Sequence, residues 1–330
     1  MTKRVLITGI AGFMGSHLAE HILKNIGWDI VGIDKLTYAS RGLDRLRDNK
    51  VLATHHDRVD IITADFSRPI TIGVRREIGE IDYIFHLGAE THVDNSIKNP
   101  RSFVEANVMG TCEMLEFART VEPELFVYFS TDEVFGPAPI GIEYHEWSRY
   151  DSRNPYAAAK AGGEELTLAY ANTYNIPVLV THCMNLFGER QSPEKFIPST
   201  IKKVLHGQTV TIHANSECTQ AGSRFYIHCR NVADALLFLT ESTWTRHKIN
   251  IVGEREVDNL EMAQFIADVV GKPLKYEMVD FHSSRPGHDL RYALDGTLLA
   301  KYGWKPPKTF EESLEKTIKW TLEHVEWLTI

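Results

Sequence analysis

The chain has 330 residues, of which 43% are hydrophobic, and its 36 Lys and Arg against 44 Asp and Glu leave a formal net charge of −8. Acidic and basic residues are mixed along the chain without a long basic run, so neither nucleic acid nor an acidic lipid surface is expected as a partner. No stretch approaches the ~20 apolar residues of a membrane span. The opening MTKRVLITGIAGFMG enters a strand pattern at once, unlike a secretory leader, and the four cysteines (Cys112, Cys183, Cys218, Cys229) form no CxxC pair. The expectation is a soluble, cytoplasmic protein with no metal site.

In chain order, apolar strand patterns lie at Arg4–Thr8, Asp29–Asp34, Val59–Asp65, Asp82–Ala89, Leu125–Thr131 and Pro177–Cys183. Helical patterns fall between most of them, notably Met14–Asn25, Phe103–Arg119 and Pro155–Thr173. Continuous apolar strands separated by helices predict a parallel sheet covered on both faces, the doubly wound (Rossmann-type) α/β class. Beyond residue 183 the segments shorten into punctuated stretches such as GERQSPEKFIP and HANSECTQAGSR. They predict a smaller, loop-rich α/β region for substrate. The division expected is 1–182 for a dinucleotide-binding domain, with a returning segment near 225–250, and 183–330 mainly for substrate. A final helix is signalled by the capping-box pair Thr309 and Glu312, with Phe310, Leu314 and Ile318 on one face.

The first strand runs into TGIAGFMGSH, where Gly9, Gly12 and Gly15 are spaced by three. A pyrophosphate can reach backbone N–H groups and a helix start only where side chains are missing. Asp34 ends the next strand, where a carboxylate can accept from ribose hydroxyls and repel a 2′-phosphate. This favours NAD over NADP, although Lys35 beside it weakens the exclusion. Asp65 and the small residues of HLGAET (His86–Thr91) also close strands on the ligand-binding edge; either alone reads more often as a turn.

Two further features carry chemistry. Asn154 and Pro155 form a helix start, which puts Tyr156 and Lys160 one turn apart on one face. A phenol of pKa ~10 becomes a usable base when an ammonium stabilises its phenolate. The stretch YFSTDEVFG ends a strand with Thr131, Asp132 and Glu133. Alone, two such carboxylates read as a solvated turn; beside a dinucleotide loop and a Tyr–Lys pair they read as an acid–base couple. Two adjacent carboxyls can serve as acid and base together only if their environments differ.

Together these features resemble the extended short-chain dehydrogenase/reductase family across essentially the whole chain. Thr-Asp-Glu followed by Val-aromatic-Gly resembles its nucleoside-diphosphate-hexose 4,6-dehydratases, as do DKLTYAS, HLGAETHVDNSI, NPYAAAKA, PEKFIP and RPGHDLRYALD. The resemblance implies NAD as cofactor, bound by the glycine loop with Phe13, Met14, Asp34, Lys35, Leu36, Thr37, Asp65, Phe66, Leu87, Gly88 and Ala89, and by Tyr156 and Lys160. It implies a nucleotide-sugar, with dTDP-glucose expected, held by Thr91, Thr131, Asn185, Lys195, Phe196, His213, Arg224, Asn259, Arg285 and His288. It also implies catalysis by Thr131, Asp132, Glu133, Tyr156 and Lys160, and a homodimer through the helices at Phe103–Arg119 and Pro155–Thr173. Leu186 stands where the family usually has a second Asn, and Thr211-Ile212-His213 where it often has Pro-Ile-Tyr. Both departures bear on the base and the sugar more than on the reaction. A 4-epimerase or decarboxylase on the same scaffold, and a non-catalytic NAD-binding relative, are the alternatives.

Overall fold

The computed structural model describes residues 2–37, 39–241, 247–281 and 290–329. Its central sheet has seven strands: β1 (Arg4–Thr8), β2 (Asp29–Asp34), β3 (Val59–Thr63), β4 (Tyr83–His86), β5 (Leu125–Thr131), β6 (Val178–Cys183) and β11 (Lys248–Ile251). Their order is β11-β6-β5-β4-β1-β2-β3, and β1 pairs in parallel with both β2 and β4. The chain winds away from β1 in both directions, so the crevice beyond the carboxyl ends of β1 and β4 is the place where ligands enter such sheets. Leu6, Val31, Ile84, Phe126 and Val180 are fully buried and pack with Met114, Leu115 and Ala118 from a covering helix. Burial on both faces explains why these strands read as apolar runs without alternation.

Two compact units divide the chain, each discontinuous in sequence. The first comprises Met1–Val134, Asn154–His182 and Ala233–Ile249; the second comprises Phe135–Arg153, Cys183–Val232 and Asn250–Ile330. In the second, short strands pair two by two: β7 (Leu186–Phe187) with β10 (Ile227–His228), β8 (Val210–Ala214) with β13 (Tyr276–Asp280), and β9 (Ser223–Arg224) with β12 (Val257–Asp258). Its core joins Phe187, Ile197, Ile201, Met262, Ile266, Phe310, Leu314 and Ile318. The capping box forms as expected: Glu312 N–H donates to Thr309 Oγ1 at 3.2 Å and Thr309 N–H to Glu312 Oε2 at 3.2 Å. Among the described residues no helix is long and apolar enough to cross a membrane.

One helix departs from its expected form. The segment predicted as a helix over Phe103–Arg119 is a short helix (Pro100–Val104), a π turn (Glu105–Met109) and a helix (Gly110–Val121). The wider turn lets Asn107 face inward, where its amide exchanges two hydrogen bonds of 2.9 Å with the backbone N–H and C=O of Glu90. The site-bearing loop after β4 is thus pinned by an irregularity that apolar periodicity does not report.

Candidate active site

The glycine loop leaves no room for side chains. A Cβ on Gly9 would lie 2.8 Å from Gly88 Cα, one on Gly12 2.9 Å from Gly9 O, and one on Gly15 2.1 Å from the same oxygen. Gly9 also has φ +71°, which glycine alone adopts without strain. Helix Phe13–Asn25 starts at Gly12 with no side-chain cap and no acidic residue in its first turn. Its leading N–H groups therefore keep both their hydrogen-bonding capacity and the positive end of the helix dipole for an anion.

Asp34 is 7% exposed, and its two oxygens accept from Ala11 N–H (3.0 Å) and Leu36 N–H (2.7 Å). Burial pushes its pKa up, against these two bonds and the nearby Arg45 guanidinium. Each carboxylate oxygen retains a lone pair, so hydroxyl donors can still be met. Arg45, buried, spends one guanidinium nitrogen on the carbonyls of Ala39 and Ser40 at 2.8 and 2.9 Å. Lys35 Nζ lies 4.0 Å from Glu90 Oε1. Asp65 Oδ1 accepts from Ser67 N–H and Oγ–H at 2.9 and 2.7 Å; burial raises its pKa, but these bonds outweigh it and hold the carboxyl low. Phe66 is buried with its ring against Gly88 and Gly110.

Behind this loop lies a histidine that sequence reasoning did not single out. His86 is 1% exposed, with Nδ1 2.8 Å from Thr8 Oγ1 and Nε2 3.2 Å from Thr111 Oγ1. Thr111 gives its own proton to Asn107 O at 2.7 Å, so it accepts from Nε2–H. Nδ1 then accepts from Thr8, whose oxygen is left to accept from Gly88 N–H at 3.0 Å. Every member is satisfied by a neutral imidazole. Burial, with the Lys160 charge adding to it, lowers the His86 pKa to about 3.

The carboxyl end of β5 and the helix Pro155–Tyr174 carry the predicted catalytic residues, all within the first unit. Strand and helix are hooked together at matched spacings. Tyr128 O–H donates to Lys160 O at 2.9 Å, and Ser130 Oγ–H to Glu164 Oε2 at 2.9 Å. Two residues of strand (~6.6 Å) match four of helix (~6 Å), so one strand face engages one helix face twice. Glu164, fully buried, also receives His182 Nε2 at 3.0 Å and Lys248 Nζ at 2.9 Å on Oε1. Burial would raise its pKa, but His182 and Lys248 hold it below the usual carboxylate range.

Tyr156 is 8% exposed and meets the Phe103 ring edge-on at 6.4 Å. Lys160, 3% exposed, has its Nζ 4.2 Å from the centre of the Tyr128 ring, and burial lowers its pKa to about 7. A lysine so placed gives up and regains a proton near neutrality. Thr131 Oγ1–H donates to Asp132 Oδ1 at 2.9 Å. Asp132 is 4% exposed while Glu133 is half-buried, so the two adjacent carboxyls do sit in different environments. Asn154 Nδ2 donates to Glu133 Oε2 at 3.0 Å. The signals for this framework were present in the sequence: Glu164 continues the 156–160 face by four, and Ser130 follows Tyr128 by two.

The other candidates are more dispersed. Thr91 is exposed after β4. In the second unit Asn185 Oδ1 is buried and meets no hydrogen-bond donor among the described residues. Lys195 precedes helix Phe196–Leu205, and Phe196 packs partly into the core of that unit. His213 meets Phe281 edge-on at 5.8 Å. Arg224 Nη1 donates to Ser223 O and Leu290 O, both at 2.6 Å, and its guanidinium lies 4.5 Å from the Tyr292 ring centre. Asn259 Oδ1 accepts from Tyr226 O–H at 2.7 Å. Arg285 and His288 lie outside the described residues. Among those described, no group of three or more His, Cys, Asp or Glu is arranged to hold a metal ion.

A family model described as GDP-mannose 4,6 dehydratase matches residues 6–317. The dTDP-glucose 4,6-dehydratase of Salmonella typhimurium is 36% identical, over 98% of this chain and 94% of its own. A trifunctional UDP-glucose 4,6-dehydratase/UDP-4-keto-6-deoxy-D-glucose 3,5-epimerase/UDP-4-keto-L-rhamnose-reductase of Arabidopsis thaliana is also 36% identical, over 98% of this chain and 48% of that longer one. Among solved structures, DesIV of Streptomyces venezuelae, a dTDP-glucose 4,6-dehydratase crystallised with NAD and TYD bound, superimposes with a TM-score of 0.87 at 32% identity, covering 98% of both chains.

Proposed function

This chain belongs to the GDP-mannose 4,6 dehydratase family, within the extended short-chain dehydrogenase/reductases, and we propose that it is an NAD-dependent hydro-lyase acting on a nucleoside-diphosphate hexose. Its substrate is dTDP-glucose and its product the 4-keto-6-deoxy sugar. The observation that carries this reading is the catalytic end of the first unit. A Tyr–Lys pair on one helix faces a Thr-Asp-Glu run that ends the adjoining strand at Thr131 and enters a 3-10 turn at Asp132, and strand and helix are held in register by two buried hydrogen bonds.

The glycine cradle, Asp34 and the loop after β4 fit a dinucleotide, since a pyrophosphate needs a side-chain-free approach and a ribose needs a carboxylate acceptor. NAD held there would supply the hydride acceptor for carbon 4 and the hydride donor for carbon 6. Tyr156, its phenolate favoured by the Lys160 ammonium, takes the proton from the 4-hydroxyl, and Thr131 hydrogen-bonds the same oxygen. The 4-ketone acidifies carbon 5, where Glu133 removes a proton while Asp132 protonates the departing 6-hydroxyl as water. Glu133 then returns its proton to carbon 5, and the proton taken by Tyr156 replaces the one Asp132 gave.

The second unit supplies the nucleotide-sugar contacts in this reading. Lys195 and Arg224 suit a diphosphate, and the buried Asn185 Oδ1 is an acceptor to spare for a ligand donor. Homodimerisation uses the stretch Phe103–Arg119 and the helix Pro155–Tyr174, in which Val104, Met109 and Tyr174 are 48%, 49% and 44% exposed. The compartment is the cytoplasm, consistent with four free cysteines. The deciding experiment is mass spectrometry of products from dTDP-, UDP-, CDP- and GDP-hexoses. Loss of one water from the dTDP sugar is the expected result. An isomer of unchanged mass, loss of carbon dioxide, or no turnover of any sugar overturns the reading.

A further inference from the structure

We propose that Asn154 is a positioning residue for the elimination, its side-chain amide holding Glu133 at the start of the helix that carries Tyr156 and Lys160. The inference rests on the dehydratase reading above and adds to it a residue that the reading does not use.

Asn154 is 6% exposed and stands in extended conformation before Pro155. Its Oδ1 accepts from Ala157 N–H at 2.8 Å, and its Nδ2 donates to Glu133 Oε2 at 3.0 Å. The partners dictate this orientation: an N–H must meet the amide oxygen and a carboxylate the amide nitrogen. Capping alone requires only an acceptor, which Ser, Thr or Asp supplies as well. What Asn adds is a donor on the same short side chain, and that donor goes to the carboxylate.

Two chemical consequences follow. Anchoring one carboxylate oxygen restricts rotation of the Glu133 side chain, so the base approaches the carbon-5 proton in one orientation. The anchor is also neutral; a Lys or Arg in its place would stabilise the carboxylate and cost it basicity. Because Asn154 is the cap of the helix bearing Tyr156, the groups for oxidation and for elimination hang from one point.

The test separates the cap from the anchor. Asn154→Ser keeps an acceptor for Ala157 N–H but cannot reach Glu133. Asn154→Asp keeps the cap and places an anion against Glu133. In Asn154→Ser we expect an unchanged melting temperature, undiminished carbon-4 oxidation, and water loss slowed roughly ten- to a hundredfold, so that reduced cofactor accumulates. In Asn154→Asp the acid limb of the water-loss profile moves up by about one pH unit, since a like charge disfavours the ionised base. In a Glu133→Gln background, Asn154→Ser causes no further loss. Oxidation and water loss falling together, with the same factor whether or not Glu133 is present, would mean that Asn154 acts only as a cap and overturns the proposal. Wild-type rates and pH profile in both variants overturn it too. If the unaltered protein dehydrates no nucleotide-sugar, the failure lies with the functional reading, and this inference falls with it.

Discussion

The two units present their candidate residues in opposite ways. In the first, Thr131 closes a seven-residue strand, and Tyr156 and Lys160 sit in the first two turns of a 20-residue helix. In the second, Arg224 ends a strand of two residues, Asn259 opens a helix, and Lys195 precedes another. Proton transfers tolerate little misplacement, so groups that make and break bonds belong on long, doubly pinned elements. Groups that only hold a ligand can stand on short strands and helix ends, where sequence can change without disturbing the chemistry. The expectation is that substitutions in the first unit change kcat and those in the second change KM.

The sharpest way to break that contrast is to remove the two carboxylates proposed for the elimination. Asp132→Asn with Glu133→Gln should reduce water loss by at least about a thousandfold, since each general acid or base is worth roughly 10²–10⁴. NAD should stay bound and the melting temperature nearly unchanged. Undiminished water loss in a folded double variant would remove both carboxylates from the mechanism.

Next in size is the buried framework. Glu164→Gln leaves the Lys248 ammonium, 4% exposed, without its anion, and breaking such a pair typically costs about 3–5 kcal/mol. Urea unfolding should show a lower midpoint at unchanged slope. A stability equal to wild type would mean that strand and helix do not depend on this link.

Titration offers a third test, again confined to the first unit. The pKa of His86 falls from 6.5 to about 3 on folding, and that of Lys160 from 10.5 to about 7. In both cases the unfolded chain binds more protons than the folded one within the window, so stability rises with pH there. His86 contributes a rise between about pH 3 and 6.5, and Lys160 one between about pH 7 and 10.5. In Lys160→Met the rise measured from pH 7 to 9 should flatten; an unchanged slope would mean that the ammonium is not desolvated.

The same contrast explains what the sequence made legible. The strands β1, β2 and β5 have the bounds that apolar runs predict, and the glycine loop and the 156–160 pair are local patterns whose physics is complete within a few residues. The His86 relay was not legible, because Thr8, His86 and Thr111 are far apart in sequence and meet only when two parallel strands pair and a helix packs against them. Nor was the π turn at Glu105–Met109, which serves the Asn107 clasp on Glu90 rather than any periodicity. The stretch Phe135–Arg153 groups with the second unit although it lies between two segments of the first. Arg291 explains its attachment: Nη1 donates to Pro139 O and Ile142 O at 2.7 Å, while Nε and Nη2 grip Glu256 at 2.7 and 2.9 Å. A clamp of that kind joins residues some 150 positions apart, beyond the reach of any local pattern.

The smallest effect is expected at Arg224, and it probes the second half of the contrast. Its guanidinium is oriented before any ligand arrives: one nitrogen is held by two backbone carbonyls and the plane lies near the Tyr292 ring. Such pre-orientation spares much of the side-chain entropy that a free arginine loses on gripping a phosphate. Arg224→Lys keeps the charge but cannot keep this geometry, whereas Arg224→Ala loses both. If Arg224 holds the diphosphate throughout the reaction, it stabilises ground state and transition state alike, so KM should rise with kcat nearly constant. We expect about a tenfold rise for Ala and a smaller one for Lys, measured with dTDP-glucose. A fall in kcat at constant KM would place Arg224 with the reacting groups and dissolve the division of labour between the units.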